Sequence, residues 1–375
     1  MQYFHLQMQV QNGFILIKMI LRVGQRLRVL WKTGYPFLVK KTSHKSCPFT
    51  YIESKRREIM KEEVILTILP HQLREVLKRE NIDFQSIQEI RLRVGKPLIL
   101  LYRGNEVIPE ADGRPYYITK DEIREMLDYI SGYSLYSYER EMSQGYITIE
   151  GGHRVGLSGQ AIMENGKVKN LKYISSINVR MSHEILGCAD GLLPYITFHR
   201  RLYHTLLVSP PGCGKTTLLR DLIRQISEGN EFIKGMSVGV VDERSEIAGC
   251  YRGVAQNHLG IRTDVLDGCP KAEGMIMLIR SMRPEVIAVD EIGGSEDVHA
   301  IEYAMHCGCR MLATAHADSM EELQKKPVFD RLIREKRFER YVLLGNEPQI
   351  GTIQEIYDER GSLLYQDQEE KTAIC

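Results

Sequence analysis

The sequence predicts an α/β protein: a phosphate-loop domain built on a parallel sheet, preceded by a smaller α+β domain. Three observations carry this. Ser209-Pro-Pro-Gly212-Cys-Gly214-Lys215-Thr216-Thr217 lies between an apolar strand and a helix. Beyond it, strand and helix patterns alternate, as parallel sheets with crossover helices require. Ahead of it, residues 60–190 carry short alternating strands and helices without that regular order.

The elements follow in chain order. Leu66, Leu69, Leu73, Val76 and Leu77 recur at helical spacing within residues 64–79. Ile87–Val94 alternates apolar and polar residues as a half-buried strand, and Pro97–Tyr102 reads as another. Thr119 stands three residues before Glu122, a capping box that opens a helix running to about Ile130. Ser134–Met142 is expected to be a second helix, Gly145–Glu150 and His153–Met163 a hairpin turned at Gly151-Gly152, and Tyr173–Arg180 a strand. A boundary falls near Cys188–Arg201. Then come strand Tyr203–Val208, helix Thr216–Ser227, strand Ser237–Asp242, helix Met275–Met282, strand Val286–Asp290, helix Glu296–His306 and strand Arg310–Thr314. Tyr341–Leu344 and Ile350–Tyr357 finish the sheet as a hairpin. The domains are thus 60–190 and 191–360, with 361–375 a frayed tail.

Length agrees with two domains, since single cores rarely grow past roughly 250–300 residues and the chain has 375. With 43% hydrophobic and 26% charged residues and a net charge of +1, it reads as globular and favours neither nucleic acid nor an anionic membrane as partner. The charge is uneven. Residues 1–59 hold 11 Lys/Arg and 2 Asp/Glu out of 50 and 49 in the chain, so the body is mildly acidic. The eight cysteines have no zinc-knuckle or redox spacing and read as free thiols of a reducing compartment. No apolar run reaches the roughly 18–20 residues of a membrane span, so a cytoplasmic location is expected.

Residues 1–59 mix basic, aromatic and apolar residues without a clear period. They admit three readings: a basic membrane-surface arm, an organellar presequence, or a segment that is not translated. Lys55-Arg56-Arg57-Glu58 can be encoded by AAR-AGG-AGG-GAR, which contains a purine-rich ribosome-binding sequence, and Met60 follows two codons after Arg57. The expectation is therefore a start at Met60, with 1–59 a non-native or disordered extension.

The phosphate loop is the strongest chemical signal. Gly212 and Gly214 let backbone amides turn toward a phosphate chain at a helix N-terminus. Ser209, Pro210, Pro211, Cys213 and Thr217 complete the cradle. Lys215 brings a positive charge to the β- and γ-phosphates, and Thr216 a hydroxyl ligand for Mg²⁺. Ser209 departs from the pattern by standing where a first glycine is usual, yet it is small enough for the loop to close. Glu285-Val-Ile-Ala-Val-Asp290-Glu291 is a buried strand delivering carboxylates to the sheet edge where ligands gather. Asp290 would hold Mg²⁺, and Glu291 would orient or deprotonate the attacking water. Thr314 and His316 end the next strand at the same edge and are candidates to read the γ-phosphate. Asp242, Glu243 and Glu246 close another strand, either as acids that polarise water or hold Mg²⁺, or as a solvated loop. Arg180, Arg262, Arg280 and Arg283 are candidates for an arginine supplied between subunits.

Taken together, these residues resemble the stage III sporulation protein AA family, a sporulation branch of the secretion and pilus-motor ATPases. In the first domain the resemblance is carried by Glu89–Leu98, Gly152–Gly159 and Ser176–His183. In the second it is carried by Ser209–Asp221, Arg262–Pro270, Asp290–Gly293 and Thr314–Ala317. It runs from about Met60 to Tyr357. Ser209 in place of glycine is typical of the family, and residues 1–59 have no counterpart. The resemblance implies a RecA-like motor domain behind an α+β domain, with ATP held between subunits of a homo-hexamer. It also implies a mother-cell motor of a secretion-like channel to the forespore, peripheral to the membrane through channel proteins of the same complex. Arg180 matches an N-domain arginine near the γ-phosphate, Asp242–Glu246 an acidic box, and His316 a histidine box.

Two other classes compete. A nucleic-acid translocase or helicase would carry a basic, aromatic-bearing track, which the near-neutral body does not suggest. A ring-forming scaffold that binds ATP without turnover would not need Lys215, Asp290 and Glu291 together. Type II or IV secretion or pilus motors outside sporulation share the same core.

Overall fold

The computed structural model describes residues 4–11, 14–23, 26–30, 61–80, 82–132 and 138–367. The chain divides into two compact units, residues 1–55 and 56–375. In the first, β1 (Phe4–Gln11), β2 (Phe14–Val23) and β3 (Arg26–Leu30) pair as an antiparallel meander. Taken as a whole, residues 1–59 show no clear period. Yet Leu6, Met8 and Val10 alternate with Gln7, Gln9 and Gln11, a strand period too short to stand out across 59 residues.

The second unit begins with α1 (61–68) and α2 (His71–Arg79). There follow β4 (Ile87–Arg93), β5 (Ile99–Tyr102), β6 (Asn105–Val107) and a small ribbon of β7 (Glu110–Ala111) and β8 (Arg114–Pro115). α3 (Lys120–Ser131) opens on the expected capping box, with Thr119 N–H donating to Glu122 Oε2 at 2.8 Å, and ends at Gly132 with φ 56°. α4 (Glu139–Ser143) covers the end of the helix expected over Ser134–Met142; residues 134–137 lie outside the described residues. β9 (Tyr146–Thr148), β10 (Arg154–Glu164) and β11 (Lys167–Arg180) complete a six-stranded sheet in the order β6-β5-β4-β11-β10-β9. Because side chains alternate along a strand, Ile90, Leu92, Val155, Leu157, Ile177 and Val179 share one buried face, packed with Leu69, Leu73 and Met126 from the helices.

The remaining elements form the larger sheet and its helices. They start with α5 (Leu193–Ile196) and the short hairpin β12 (Thr197–Phe198) and β13 (Arg201–Leu202). Then come β14 (Thr205–Ser209), α6 (Lys215–Glu228), β15 (Val238–Asp242), β16 (Thr263–Asp267), α7 (Lys271–Met282), β17 (Val286–Val289), α8 (Ser295–His306) and β18 (Arg310–His316). Last are α9 (Met320–Lys325), α10 (Pro327–Arg334), β19 (Arg340–Gly345), β20 (Thr352–Asp358) and β21 (Leu363–Gln366). The strand order is β16-β15-β17-β18-β14-β19-β20-β21. Pairing is parallel from β16 to β19 and antiparallel beyond it. β14 and β17 are buried at every residue, β17 apolar throughout and β14 apolar between Thr205 and Ser209, because helices cover both sheet faces. α6 packs Leu218, Leu222, Ile223 and Ile226 against the sheet, which aims its N-terminus at the strand ends.

Two corrections concern this region. Within the frayed tail expected over 361–375, residues 363–366 are instead strand β21, held by pairing with β20 and by Tyr365, whose ring centroid lies 5.5 Å from that of Tyr195, while 368–375 lie outside the described residues. β16, α9 and α10 were not expected. β16 mixes two aspartates into five residues, and the two helices have six and eight residues, too few for a period to emerge.

The hydrophobic core of residues 65–179 and the two cores on the faces of the larger sheet, of residues 189–356 and 206–343, are joined by polar contacts. Lys61 Nζ donates to Asn257 Oδ1 at 3.0 Å and pairs with Glu184 at 3.3 Å. Gly151 N–H donates to Gln256 Oε1 at 3.0 Å. Arg220 on α6 donates to the carbonyls of Glu246 and Ile247 at 2.9 and 2.8 Å, and to that of His183 at 3.2 Å.

Candidate functional site

β14 ends at the buried Ser209, and the chain turns through Pro210, Pro211, Gly212 and Cys213 before α6 begins at Lys215. Gly212 and Gly214 both have φ 78°, a conformation that L side chains avoid. A Cβ at Gly214 would also lie 3.2 Å from Gly351 Cα, so the loop between β19 and β20 closes over this turn. Thr216 and Thr217 fall in the first turn of α6, where unpaired backbone N–H groups favour an anion.

Lys215 Nζ donates to Ser209 O at 2.9 Å, Ser209 Oγ at 3.0 Å and Pro210 O at 3.0 Å. The serine that replaces the usual glycine thus gives the lysine an acceptor. Burial draws the Lys215 pKa below the ordinary lysine value, partly offset by the charges of Asp290 and Glu291. Nζ also lies 3.0 Å from His316 Nδ1. An ammonium only donates, so Nδ1 accepts and the imidazole proton sits on Nε2, which donates to Glu291 Oε1 at 2.7 Å.

Thr216 Oγ1 donates to Asp290 Oδ2 at 2.7 Å. The other oxygen of Asp290 accepts from the hydroxyl of Thr314, which in turn accepts from Glu291 N–H at 2.8 Å. Thr314, fully buried, therefore orients Asp290 and the Glu291 backbone; its hydroxyl is committed there, which differs from the γ-phosphate reader expected of it. Glu291 has φ 51°, a strained value for a non-glycine residue. Its pKa is raised by burial but more strongly lowered by the His316 hydrogen bond and by the charges of Arg244 and Lys215, leaving the carboxyl below its ordinary range. Arg244 Nη1 donates to Glu291 Oε2 at 3.1 Å. The structure therefore brings Lys215, Thr216, Asp290, Glu291, Thr314 and His316 together. Thr216 Oγ1 and the Asp290 carboxylate form a hard-oxygen pair that fits Mg²⁺.

Other candidates are placed elsewhere. Asp242 is buried and accepts from the N–H groups of Glu246, Ile247 and Ala248 at 2.8, 3.0 and 2.7 Å, so it shapes its loop; burial pushes its pKa up to about 6. Glu243 pairs with Lys271 and Glu246 with Arg154. Arg262 caps α6 by donating to Ser227 O at 2.8 Å. Arg280 and Arg283 are exposed at the end of α7. Arg180, at the end of β11, has its Nε 3.7 Å from Glu89 Oε1. The sequence does not single out Arg244; a cation set between Glu243 and Glu246 is its available signal. Six cysteines among the described residues are free thiols, and Cys47 and Cys375 lie outside them.

Comparison with known proteins decides the family. The family model described as Sporulation stage III, protein AA matches residues 59–364. The chain belongs to the stage III sporulation protein AA family. Its relative Stage III sporulation protein AA of Bacillus subtilis (strain 168) is 44% identical over 301 residues, covering 80% of this chain and 96% of the relative. Uncharacterized protein ycf45 of Porphyra purpurea is 28% identical over 297 residues, covering 76% of this chain and 45% of its own. Among solved structures, the Legionella pneumophila ATPase DotB superposes with a TM-score of 0.50 at 16% identity, covering 73% of this chain and 76% of that one. The Yersinia pseudotuberculosis ATPase DotB gives 0.50 at 15% identity, with 78% of each chain covered. These likenesses show a shared fold. In this family member it is the RecA-like phosphate-loop fold behind an α+β domain. Among its described residues, no helix is long and apolar enough to cross a membrane.

Proposed function

We propose that this chain is a Mg²⁺-dependent ATPase that drives a secretion-like channel between mother cell and forespore. The carrying observation is the Thr216–Asp290 hydrogen bond beside Lys215, with His316 joining Lys215 to Glu291. In this reading the amides of the loop and first turn of α6 cradle the β- and γ-phosphates, and Lys215 moves from the Ser209 and Pro210 oxygens onto them. Thr216 and Asp290 would hold Mg²⁺, whose charge would offset that of the phosphate oxygens. Glu291 takes the proton from the attacking water, and His316 Nε2 steers its carboxylate.

The motor role rests on family membership and on the fold shared with the ATPase DotB. A homo-hexamer with ATP between subunits, completed by Arg180 from a neighbour, extends it, as do channel proteins of the same complex as partners at the membrane. Nucleic acid is not a partner in this reading. ATP turnover measured against protein concentration tests it: a rate per subunit that climbs steeply with concentration supports sites completed between subunits. A constant rate contradicts them. Failure of Glu291→Gln to impair sporulation, with the protein at normal levels, would remove the motor role.

A further inference from the structure

Glu291 is held from two sides. Its Oε1 accepts from His316 of its own sheet edge, and its Oε2 from Arg244 at 3.1 Å. Arg244 belongs to the 243–246 loop, and that loop is gripped by the α+β domain. Tyr146 of β9 donates its hydroxyl to Arg244 O at 3.3 Å. Arg154 of β10 forms an ion pair with Glu246 and stacks its guanidinium 3.6 Å from the centroid of the Tyr146 ring. A cavity of about 450 Å³ lies alongside, lined by Tyr146, Thr148, Ser245 and Asp267 among others. Close-packed interiors resist displacement, whereas a loop beside a void can shift.

We propose that Tyr146, Arg154 and Arg244 are positioning residues through which the α+β domain occupies Glu291 Oε2 and so withholds that oxygen from the attacking water. Resting on Glu291 as the base, this makes hydrolysis conditional on the α+β domain: when β9 and β10 move, the loop follows and Arg244 leaves. The contact suits release. Arg244 is 61% and Glu291 34% exposed, and such pairs are weak enough that losing one changes an equilibrium by about two- to five-fold.

The test is steady-state turnover of MgATP by the full chain and its variants, all at one protein concentration. Arg244→Gln is expected to raise kcat about two- to five-fold with KM for ATP unchanged. Tyr146→Phe, which removes one hydroxyl and keeps the ring, and Arg154→Ala are expected to raise it in the same direction. Because Arg154 acts through Arg244, combining Arg154→Ala with Arg244→Gln should add nothing beyond Arg244→Gln alone. A kcat at or below that of the parent in Arg244→Gln and Tyr146→Phe overturns the proposal, as does an additive rise in the double variant. Full turnover by Glu291→Gln would instead remove the base itself.

Discussion

Thr216 Oγ1 donates to Asp290 Oδ2 across 2.7 Å, tying the first turn of α6 to the end of β17. These residues are 74 positions apart in sequence, and the parallel sheet is what brings them together. With its hydroxyl and carboxylate both hard oxygen donors, the pair should govern a divalent ion rather than the nucleotide alone. Asp290→Asn is expected to weaken ATP binding at least about tenfold in Mg²⁺ while changing it far less in EDTA, a second-partner effect on a metal site. Titration of a fluorescent ATP analogue under both conditions checks this, and an equal loss in both would place Asp290 outside the metal site.

Glu291 is assigned the proton-transfer role, which typically contributes 10²–10⁴-fold to a rate. Glu291→Gln keeps the side-chain volume and the Glu291 N–H bond to Thr314. ATP affinity should stay within about threefold and turnover fall about a hundredfold or more. Single-turnover hydrolysis and equilibrium binding on the same variant separate the two effects; undiminished turnover would exclude the role.

His316 should matter through orientation. His316→Gln leaves one amide where two imidazole nitrogens now bridge Lys215 and Glu291, so it cannot keep both contacts in the same geometry. A loss of about tenfold or more in kcat is expected, with a smaller change in KM. A rise in KM at constant kcat would instead make His316 a nucleotide-binding residue.

Stability should fall in mild acid. Burial lowers the His153 pKa to about 3 and that of His204 to about 4, from an ordinary 6.5. Between those values the unfolded chain binds protons that the folded chain refuses, so both residues favour unfolding as pH drops below about 6.5. Asp242 acts in the opposite direction. Its pKa, raised from 3.8 to about 6, makes its contribution greatest below 3.8 and lost as pH rises through about 6. Two histidines against one aspartate give a net loss between pH 6.5 and 4. Urea midpoints at pH 7 and pH 5 measure it. His153→Gln, which retains a donor for Lys61 O and an acceptor for Ser182 N–H, should shrink the difference between the two midpoints. An unchanged difference would contradict the assignment.

Much of the fold was legible because its signals are local. The phosphate loop, the capping box at Thr119 and the apolar run Val286–Val289 each announce themselves within a few residues. The site was legible as far as each strand end went: Asp290, Glu291 and His316 were read as sharing one edge. What stayed hidden depends on contacts distant in sequence. Thr314 was read as facing a phosphate, whereas the sheet places its hydroxyl against Asp290. Asp242 was a candidate acid, whereas its loop folds three N–H groups onto it. Arg262 was a candidate for the site and instead caps α6. Arg244 was missed because its partner, Glu291, is 47 residues away.

The most direct measurement of the central claim is MgATP binding and turnover by the parent chain and by Lys215→Ala. Lys215 Nζ has four acceptors gathered around it at the mouth of α6, and it is the one mobile cation the loop supplies to the phosphates. Saturable binding and Mg²⁺-dependent hydrolysis are expected of the parent, with both largely abolished in Lys215→Ala while its thermal unfolding remains cooperative. Retained tight binding or turnover by a folded Lys215→Ala protein would contradict it.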